Sequence, residues 1–187
     1  MNRFIETLED NPIIAGIKDD DALAKVIKSE CRVVFILYGN IMNIAQIVKT
    51  LKDNNKMAFV HIDLLEGVSH KEVVLDFVKA NTHADGIIST RTPLIRAAKS
   101  HGLIAIHRFF LIDSMSFYNI PKQVKQSKPD FIEIMPGGMP KYIRWVLDEV
   151  NIPIIAGGLV CEKEDVVSAL GAGATAISTT NQGVWEM

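Results

Sequence analysis

Short apolar runs alternate along the chain with longer segments whose apolar positions recur at helical spacing. Most of the runs are rich in β-branched residues, a composition typical of strands that are buried on both faces. Eight runs predict eight strands. They cover residues 12–17, 32–39, 57–64, 86–90, 104–111, 131–136, 153–160 and 176–181.

The segments between the runs have the periodicity and the end signals of helices. Ile44, Ile47 and Leu51 fall on one side of a helix, and Thr92 followed by Pro93 is a typical helix start. Strands that alternate with helices predict a parallel sheet joined by right-handed crossovers. The fold class is therefore α/β.

Eight strand–helix units predict a compact TIM-type (β/α)8 barrel, formed as a single domain over residues 1–187. An open doubly wound sheet is the alternative. It would need a glycine-rich turn after the first strand, and residues 17–20 contain no glycine.

Little chain follows the last predicted strand, so the eighth helix is predicted to be missing or vestigial. The amino-terminal residues around Phe4 and Leu8, or a second subunit, would then cover the exposed flank. A homodimer is one option for covering it.

Composition and charge narrow the class of protein. Apolar residues make up 48% of the chain and charged residues 22%, the balance of an ordinary globular protein. The net charge of −2 provides no bulk attraction to nucleic acid or to membranes. The acidic amino terminus does not resemble a secretory signal, and no run reaches the roughly 18 apolar residues of a membrane helix. A cytoplasmic location is therefore predicted, with Cys31 and Cys161 as reduced thiols.

Side-chain alternation predicts a polar mouth for the barrel. On the third strand Phe59, His61 and Asp63 share one face, and the opposite face is entirely apolar and should meet the helices. The same argument directs Lys18 and Glu133 inward. We therefore expect Lys18, Asp63 and Glu133 to converge at the carboxyl ends of three strands. They would form either an interior ion-pair network or a site for a polar ligand, and their position favours the ligand site.

Three further polar residues lie near this mouth. His61 lies deeper, and we interpret it as a hydrogen-bonded core histidine. His107 and Arg108 are adjacent, so only one of them faces inward. An inward Arg108 would reach a ligand, whereas an outward Arg108 would have a structural role.

The strongest chemical signal is a candidate phosphate site after the last two strands. Adjacent glycines let backbone N–H groups approach an anion, and threonine hydroxyls add donors. The loops after strands seven and eight are the frequent phosphate site of this fold. The predicted phosphate ligands are Gly157, Gly158, Leu159, Thr179, Thr180 and Asn181. The alternative is that the two glycines only form a tight turn.

A third glycine-rich turn precedes the helix after the sixth strand. Gly137 and Gly138 would add N–H donors to the same ligand from that helix start.

No metal-binding or catalytic motif stands out in the sequence. Asp63 and Glu133 could share a divalent cation, but Lys18 would compete for them. Nucleophile-elbow and P-loop patterns are both missing. We therefore predict no catalytic residue, no metal and no cofactor.

Five motifs occur in a recognisable order. They are residues 61–67 (HIDLLEG), 86–91 (GIISTR), 133–137 (EIMPG), 154–159 (IIAGGL) and 176–181 (AISTTN). Together they resemble the glycerol-3-phosphate-responsive antiterminators, the regulatory proteins of bacterial glycerol uptake operons, over essentially the whole chain. The resemblance implies a regulator that binds glycerol 3-phosphate as its effector. It would then act on the leader mRNA of glycerol-utilisation operons and let transcription pass a terminator.

The resemblance also implies an RNA-binding surface, for which the sequence offers basic and aromatic candidates. The basic candidates are Lys122, Lys125, Lys128, Lys141 and Arg144. Phe110, Phe117 and Tyr118 would stack on unpaired bases. On the residues alone, these lysines would be interpreted as solvated helix faces.

Two other classes of function remain open at this stage. A barrel isomerase, aldolase or phosphodiesterase acting on a small phosphate ester would use Asp63 or Glu133 as acid–base and Lys18 as an electrophile. A scaffold barrel that binds only a partner protein would bind no small phosphate.

Overall fold

The computed structural model describes residues 1–187 and shows a closed barrel of eight parallel strands in sequence order. The last strand pairs with the first, with Ile14 opposite Ser178, which closes the barrel. The strands are β1 (Ile13–Ile17), β2 (Val33–Ile36), β3 (Met57–His61), β4 (Gly86–Ser89), β5 (Ile104–Phe110), β6 (Phe131–Met135), β7 (Ile154–Gly157) and β8 (Ala176–Thr179). The predicted fold class is confirmed, and all eight predicted strands are present.

One helix precedes the barrel, and one follows each of the first seven strands. They are α1 (Asn2–Asp10), α2 (Asp20–Val26), α3 (Ile44–Asp53), α4 (Val73–Asn81), α5 (Thr92–Ala98), α6 (Ser114–Ser127), α7 (Pro140–Glu149) and α8 (Lys163–Gly171). Local chemistry fixes several starts. Asp19 accepts a hydrogen bond from the Ala22 N–H at 2.7 Å, and Asp113 forms a capping box with Ser116 at the start of α6. No helix is long and apolar enough to cross a membrane.

After β8 the chain forms only turns over residues 180–187, as the sequence pattern predicts. The flank is covered by the carboxy-terminal turn itself. Trp185 is buried there, and its Nε1–H donates to the Thr179 carbonyl at 3.0 Å. The expectation that the amino-terminal segment covers this flank is therefore wrong.

Helix α1 instead closes the amino-terminal end of the barrel. The Phe4 ring is fully buried and contacts the rings of Phe59 and Phe131, with centroids 4.8 Å and 4.9 Å away. Burying a phenylalanine contributes about 1.5–3 kcal/mol. Above this apolar floor the barrel interior becomes polar, since Arg108, Glu133 and Ser178 are all buried there.

Candidate functional site

A buried arginine–glutamate pair lies at the centre of the polar layer. Arg108 on β5 and Glu133 on β6 are directly opposite in the strand register. Arg108 Nε–H donates to Glu133 Oε2 at 2.5 Å, and Ser178 Oγ–H donates to Oε1 at 2.5 Å. Glu133 is fully buried, so its charge is compensated by these two charge-assisted hydrogen bonds.

This pairing orients Arg108 for a second interaction. Its terminal nitrogens, Nη1 and Nη2, make no hydrogen bond within the chain, and the side chain lines a cavity of about 270 Å³. The guanidinium group therefore presents unpaired N–H donors to the cavity. The inward orientation of Arg108, left open by the sequence, is the one that the structure shows.

The cavity lies at the carboxyl ends of the strands, where ligands bind in this fold. Its lining comes from β1, β2, β5 and β6 and from the loops after β7 and β8. The lining residues are Gly16, Phe35, Leu37, Arg108, Glu133, Met135, Gly158, Leu159, Val160, Cys161, Ser178, Thr179, Thr180 and Asn181.

Unpaired backbone donors surround one side of this cavity. The N–H groups of Gly158, Leu159, Val160 and Thr180 donate to no acceptor in the chain. Gly158 and Leu159 both have left-handed backbone, with φ of 71° and 54°, and the Leu159 side chain is 74% exposed. A left-handed backbone at an exposed leucine is unfavourable and is typical of functional loops. Successive free N–H groups of this kind are suited to binding an anion.

Two predicted phosphate residues use their side chains to join the loops. Thr179 Oγ1–H donates to the Val160 carbonyl at 2.7 Å, and Asn181 Nδ2–H donates to the Cys161 carbonyl at 3.0 Å. The Thr180 hydroxyl makes no hydrogen bond within the chain and is exposed at the cavity. The loop after β8 is therefore held against the loop after β7, with Thr180 free to contact a ligand.

The glycines of these loops are required by close packing. A Cβ at Gly157 would lie 2.5 Å from Ser178 Oγ and 2.6 Å from Glu133 Oε1. A Cβ at Gly137 would lie 2.6 Å from the Gly157 nitrogen, and the Gly137 N–H donates to the Gly158 carbonyl at 2.9 Å. Gly137 and Gly138 therefore pack against the loop after β7 and do not line the cavity.

The predicted convergence of Lys18, Asp63 and Glu133 is wrong. Strand β3 ends at His61 and continues as a short 3-10 helix, Ile62–Leu64, so strand alternation no longer directs Asp63 inward. Lys18 is exposed without an ion-pair partner, and neither Lys18 nor Asp63 lines the cavity. Of the three, only Glu133 does.

Asp63 instead organises the end of β4. It accepts hydrogen bonds from the Ser89 hydroxyl at 2.8 Å and from the Thr90 N–H at 2.7 Å, and Arg91 Nε lies 3.5 Å away. Burial raises the pKa of Asp63, but these hydrogen bonds outweigh burial and hold the pKa below its usual value. Its role in the structure is to anchor a loop.

His61 is buried in the core as interpreted, but the hydrogen bond expected of it is missing at Nδ1. His61 is 4% exposed, and its Nδ1 has no hydrogen-bond partner, the single such buried side-chain atom in the chain. Burial and the nearby Arg108 charge lower its pKa to about 4. His107 faces the helices, where its Nε2–H donates to the Thr90 carbonyl at 3.2 Å, and burial lowers its pKa to about 4.

These buried neutral histidines predict acid lability. In the unfolded chain a histidine takes up its proton near pH 6.5, whereas folded His107 does so near pH 4. The free energy of unfolding therefore has its full value above pH 6.5. Between pH 6.5 and pH 4 it falls by about 1.4 kcal/mol per pH unit for each such histidine. Urea unfolding at pH 7 and pH 5 would measure the loss. His107→Gln should reduce the slope, and His83→Gln, at an exposed position, should not.

The five basic residues predicted to contact RNA are all exposed, three of them on α6 or directly after it and two on α7. Lys125 and Lys128 line a shallow groove at the carboxy-terminal end of α6. Lys141 lies in the first turn of α7, with its Nζ 4.6 Å from the centre of the Trp145 ring. No group of three or more His, Cys, Asp or Glu side chains could hold a metal ion.

The closed barrel places the protein in the (β/α)8 class. The polar cavity lies at the carboxyl ends of its strands, where proteins of this class bind ligands. The particular family follows from comparison. The family model described as "Glycerol-3-phosphate responsive antiterminator" matches residues 13–185, and the chain belongs to this family.

Relatives in sequence and in structure match almost the whole of this chain. "Uncharacterized protein YgcP" of Escherichia coli (strain K12) is 53% identical over 184 residues, which are 98% of this chain and 96% of that protein. The crystal structure of a glycerol uptake operon antiterminator regulatory protein from Listeria monocytogenes is 30% identical, with a TM-score of 0.91 over 94% of this chain and 95% of that one. An antiterminator-related protein from Thermotoga maritima is 34% identical, with a TM-score of 0.83 over 94% and 98%.

Proposed function

We propose that this protein is a transcription antiterminator that binds glycerol 3-phosphate and then binds the leader mRNA of a glycerol-utilisation operon. The observation that carries the proposal is the cavity rim, where four backbone N–H groups and the two terminal nitrogens of Arg108 lack acceptors in the chain. Such a rim favours a small anionic ligand. Membership of the antiterminator family supplies the regulatory role.

The phosphate group would bind to the loops after β7 and β8. The N–H groups of Gly158, Leu159 and Thr180, with the Thr180 hydroxyl, are its proposed donors. No carboxylate other than Glu133 lines the cavity, and Glu133 is already paired with Arg108. The charges of Arg108 and Glu133 cancel, so the lining carries no net negative charge that would repel an anion.

The glycerol hydroxyls would meet Arg108 rather than Glu133. Both carboxylate oxygens of Glu133 already accept hydrogen bonds, so its main role is to position the guanidinium group. We therefore propose Arg108 as the residue that distinguishes a hydroxylated ligand from bare phosphate.

A regulator of a leader transcript would act in the cytoplasm, where transcription takes place.

Two measurements test the proposal. Isothermal titration should show binding of glycerol 3-phosphate, weaker binding of inorganic phosphate and none of glycerol. Saturating ligand, at 100 times the Kd, should stabilise the fold by about 2.7 kcal/mol. Filter retention of a glycerol-operon leader transcript should then require glycerol 3-phosphate and weaken with salt, because lysine contacts to phosphates release counterions.

The rival class makes a different prediction. A barrel enzyme would turn over a small phosphate ester and lose that turnover in Glu133→Gln. Turnover together with a lack of RNA retention would contradict the antiterminator proposal. A chain that binds no small phosphate would contradict both.

A further inference from the structure

The outer surface of the barrel carries a partly exposed cluster of aromatic side chains on α6 and α7. Phe117 contacts Tyr118 and Trp145, with ring centroids 5.4 Å and 6.0 Å away, and Tyr142 contacts Trp145 at 5.2 Å. Tyr118 is 74% exposed and Trp145 is 43% exposed. We call Phe117, Tyr118, Tyr142 and Trp145 the aromatic face. Exposed aromatic rings grouped in this way mark an interaction surface.

Basic side chains flank the aromatic face along α6 and the first turns of α7. Helix α6 contains no acidic residue, and Lys122 and Lys125 follow Tyr118 at spacings of four and seven, on the same side of the helix. On α7, Lys141 lies over the Trp145 ring, and Arg144 is exposed beside it.

Acidic residues limit the extent of this surface. Asp148 and Glu149 lie at the far end of the groove between α6 and α7. Asp113, which caps the first turn of α6 through the Ser116 N–H, also lines this groove, so three carboxylates and no basic side chain line it. A phosphate backbone would therefore run outside the groove, over Tyr118 and the first two turns of α7, away from the three carboxylates.

The aromatic face is connected to the cavity by two short chain segments. Strand β5 carries Arg108 and leads through Leu111, at the edge of the groove, into α6. Strand β6 carries Glu133 and leads through Gly137 into α7. The Gly137 N–H donates to the Gly158 carbonyl, and a Cβ at Gly138 would lie 3.0 Å from the Leu159 carbonyl oxygen. A shift of the loop after β7 must therefore displace the turn that starts α7.

We propose that the aromatic face binds an unpaired segment of RNA and that the effector controls this binding through the turn at Gly137. Tyr118 and Trp145 stack on bases, and Lys122, Lys141 and Arg144 contact phosphates. This inference rests on the proposed function and adds the surface that the RNA occupies. Exposed aromatic rings beside cations form the usual platform for single-stranded nucleic acid.

The test compares matched variants in glycerol 3-phosphate-dependent retention of the leader transcript. Trp145→Ala should weaken binding about tenfold or more, and Trp145→Phe, which retains a ring, should stay close to the unmodified chain. Lys122→Ala should reduce the slope of log affinity against log salt by about one, and Lys28→Ala, at an exposed position after α2, should leave it unchanged. All four variants should bind glycerol 3-phosphate normally.

The possible failures point to different conclusions. If the unmodified chain shows effector-dependent RNA binding and Trp145→Ala binds equally well, the RNA lies elsewhere and the proposed function stands. If the unmodified chain binds glycerol 3-phosphate but no RNA, the proposed function and this inference fail together. If Trp145→Ala converts a dimer to a monomer in gel filtration, a second copy of the chain occupies the aromatic face and the inference is overturned.

Discussion

Arg108→Met is expected to lower the free energy of unfolding by about 3–5 kcal/mol. Glu133 is fully buried and would lose its cationic partner, which leaves an uncompensated charge inside the barrel. The Ser178 hydroxyl would still donate to Oε1, but a neutral hydroxyl does not compensate a buried carboxylate. Urea unfolding at pH 7 measures the loss. The same variant should bind glycerol 3-phosphate weakly, because the unpaired terminal nitrogens are removed.

A second variant separates stability from binding. Arg108→Met combined with Glu133→Leu removes both charges and should recover much of the lost stability, since a buried ion pair can often be replaced by apolar residues. It should not recover binding. Arg32→Met, which breaks a surface pair with Asp10 at 3.1 Å, is the matched control and should change stability by less than about 1 kcal/mol. An Arg108→Met protein as stable as the unmodified chain would contradict the role of the pair, and normal ligand binding by the double variant would contradict the role of Arg108.

The barrel could be predicted because its strands have a local signature. Runs of β-branched residues buried on both faces are visible without tertiary information, and so are the helical repeats between them. The closure of the barrel followed from their number and order. The role of Phe4 could not be predicted from the sequence, because a short amphipathic helix can cover either the floor or the flank of a barrel. The structure places Phe4 against Phe59 and Phe131, at the floor.

The site was predicted where it depends on composition and missed where it depends on register. The glycines at the end of β7 and the threonines at the end of β8 predicted the position of the cavity rim. Strand alternation fails at Asp63 because this residue lies two positions beyond the end of β3, inside the 3-10 helix. The pairing of Arg108 with Glu133 follows from the register of β5 and β6, in which the two residues are opposite each other. Predicting it from sequence requires aligning these two strands and recognising that a buried Glu133 needs a cation as partner.

The packing of Gly157 shows why the remaining details are not local. The residues next to Gly157 in sequence predict a turn, but they do not show why a side chain is excluded at this position. The contacts that exclude a side chain there come from Ser178 on β8 and Glu133 on β6. Three consecutive strands, β6, β7 and β8, therefore determine one glycine, and the same contact links the anion-binding loop to the Arg108–Glu133 pair. Effector binding at the rim is expected to act on this pair as well as on the turn that precedes α7.

Thr180→Asp is expected to weaken glycerol 3-phosphate binding about 100-fold while leaving the ligand-free fold unchanged. Thr180 is exposed at the cavity rim, and neither its N–H nor its hydroxyl has a partner in the chain, so the substitution removes no existing hydrogen bond. A carboxylate at this position would face the phosphate, and placing like charges together in a binding site costs several kcal/mol. Isothermal titration measures the affinity, and thermal unfolding without ligand should agree with the unmodified chain within about 0.5 kcal/mol.

Thr180→Asn isolates the effect of the charge, because asparagine has the shape of aspartate without its carboxylate. We expect Thr180→Asn to retain binding within about tenfold, and raising the ionic strength should narrow the difference between the two variants, since salt screens the repulsion at this exposed rim. Equal affinities for the Asp and Asn variants would place the phosphate away from the loop after β8. The Arg108 side of the cavity would then be the anion site, and the free N–H groups of Gly158 and Leu159 would have to bind another part of the ligand.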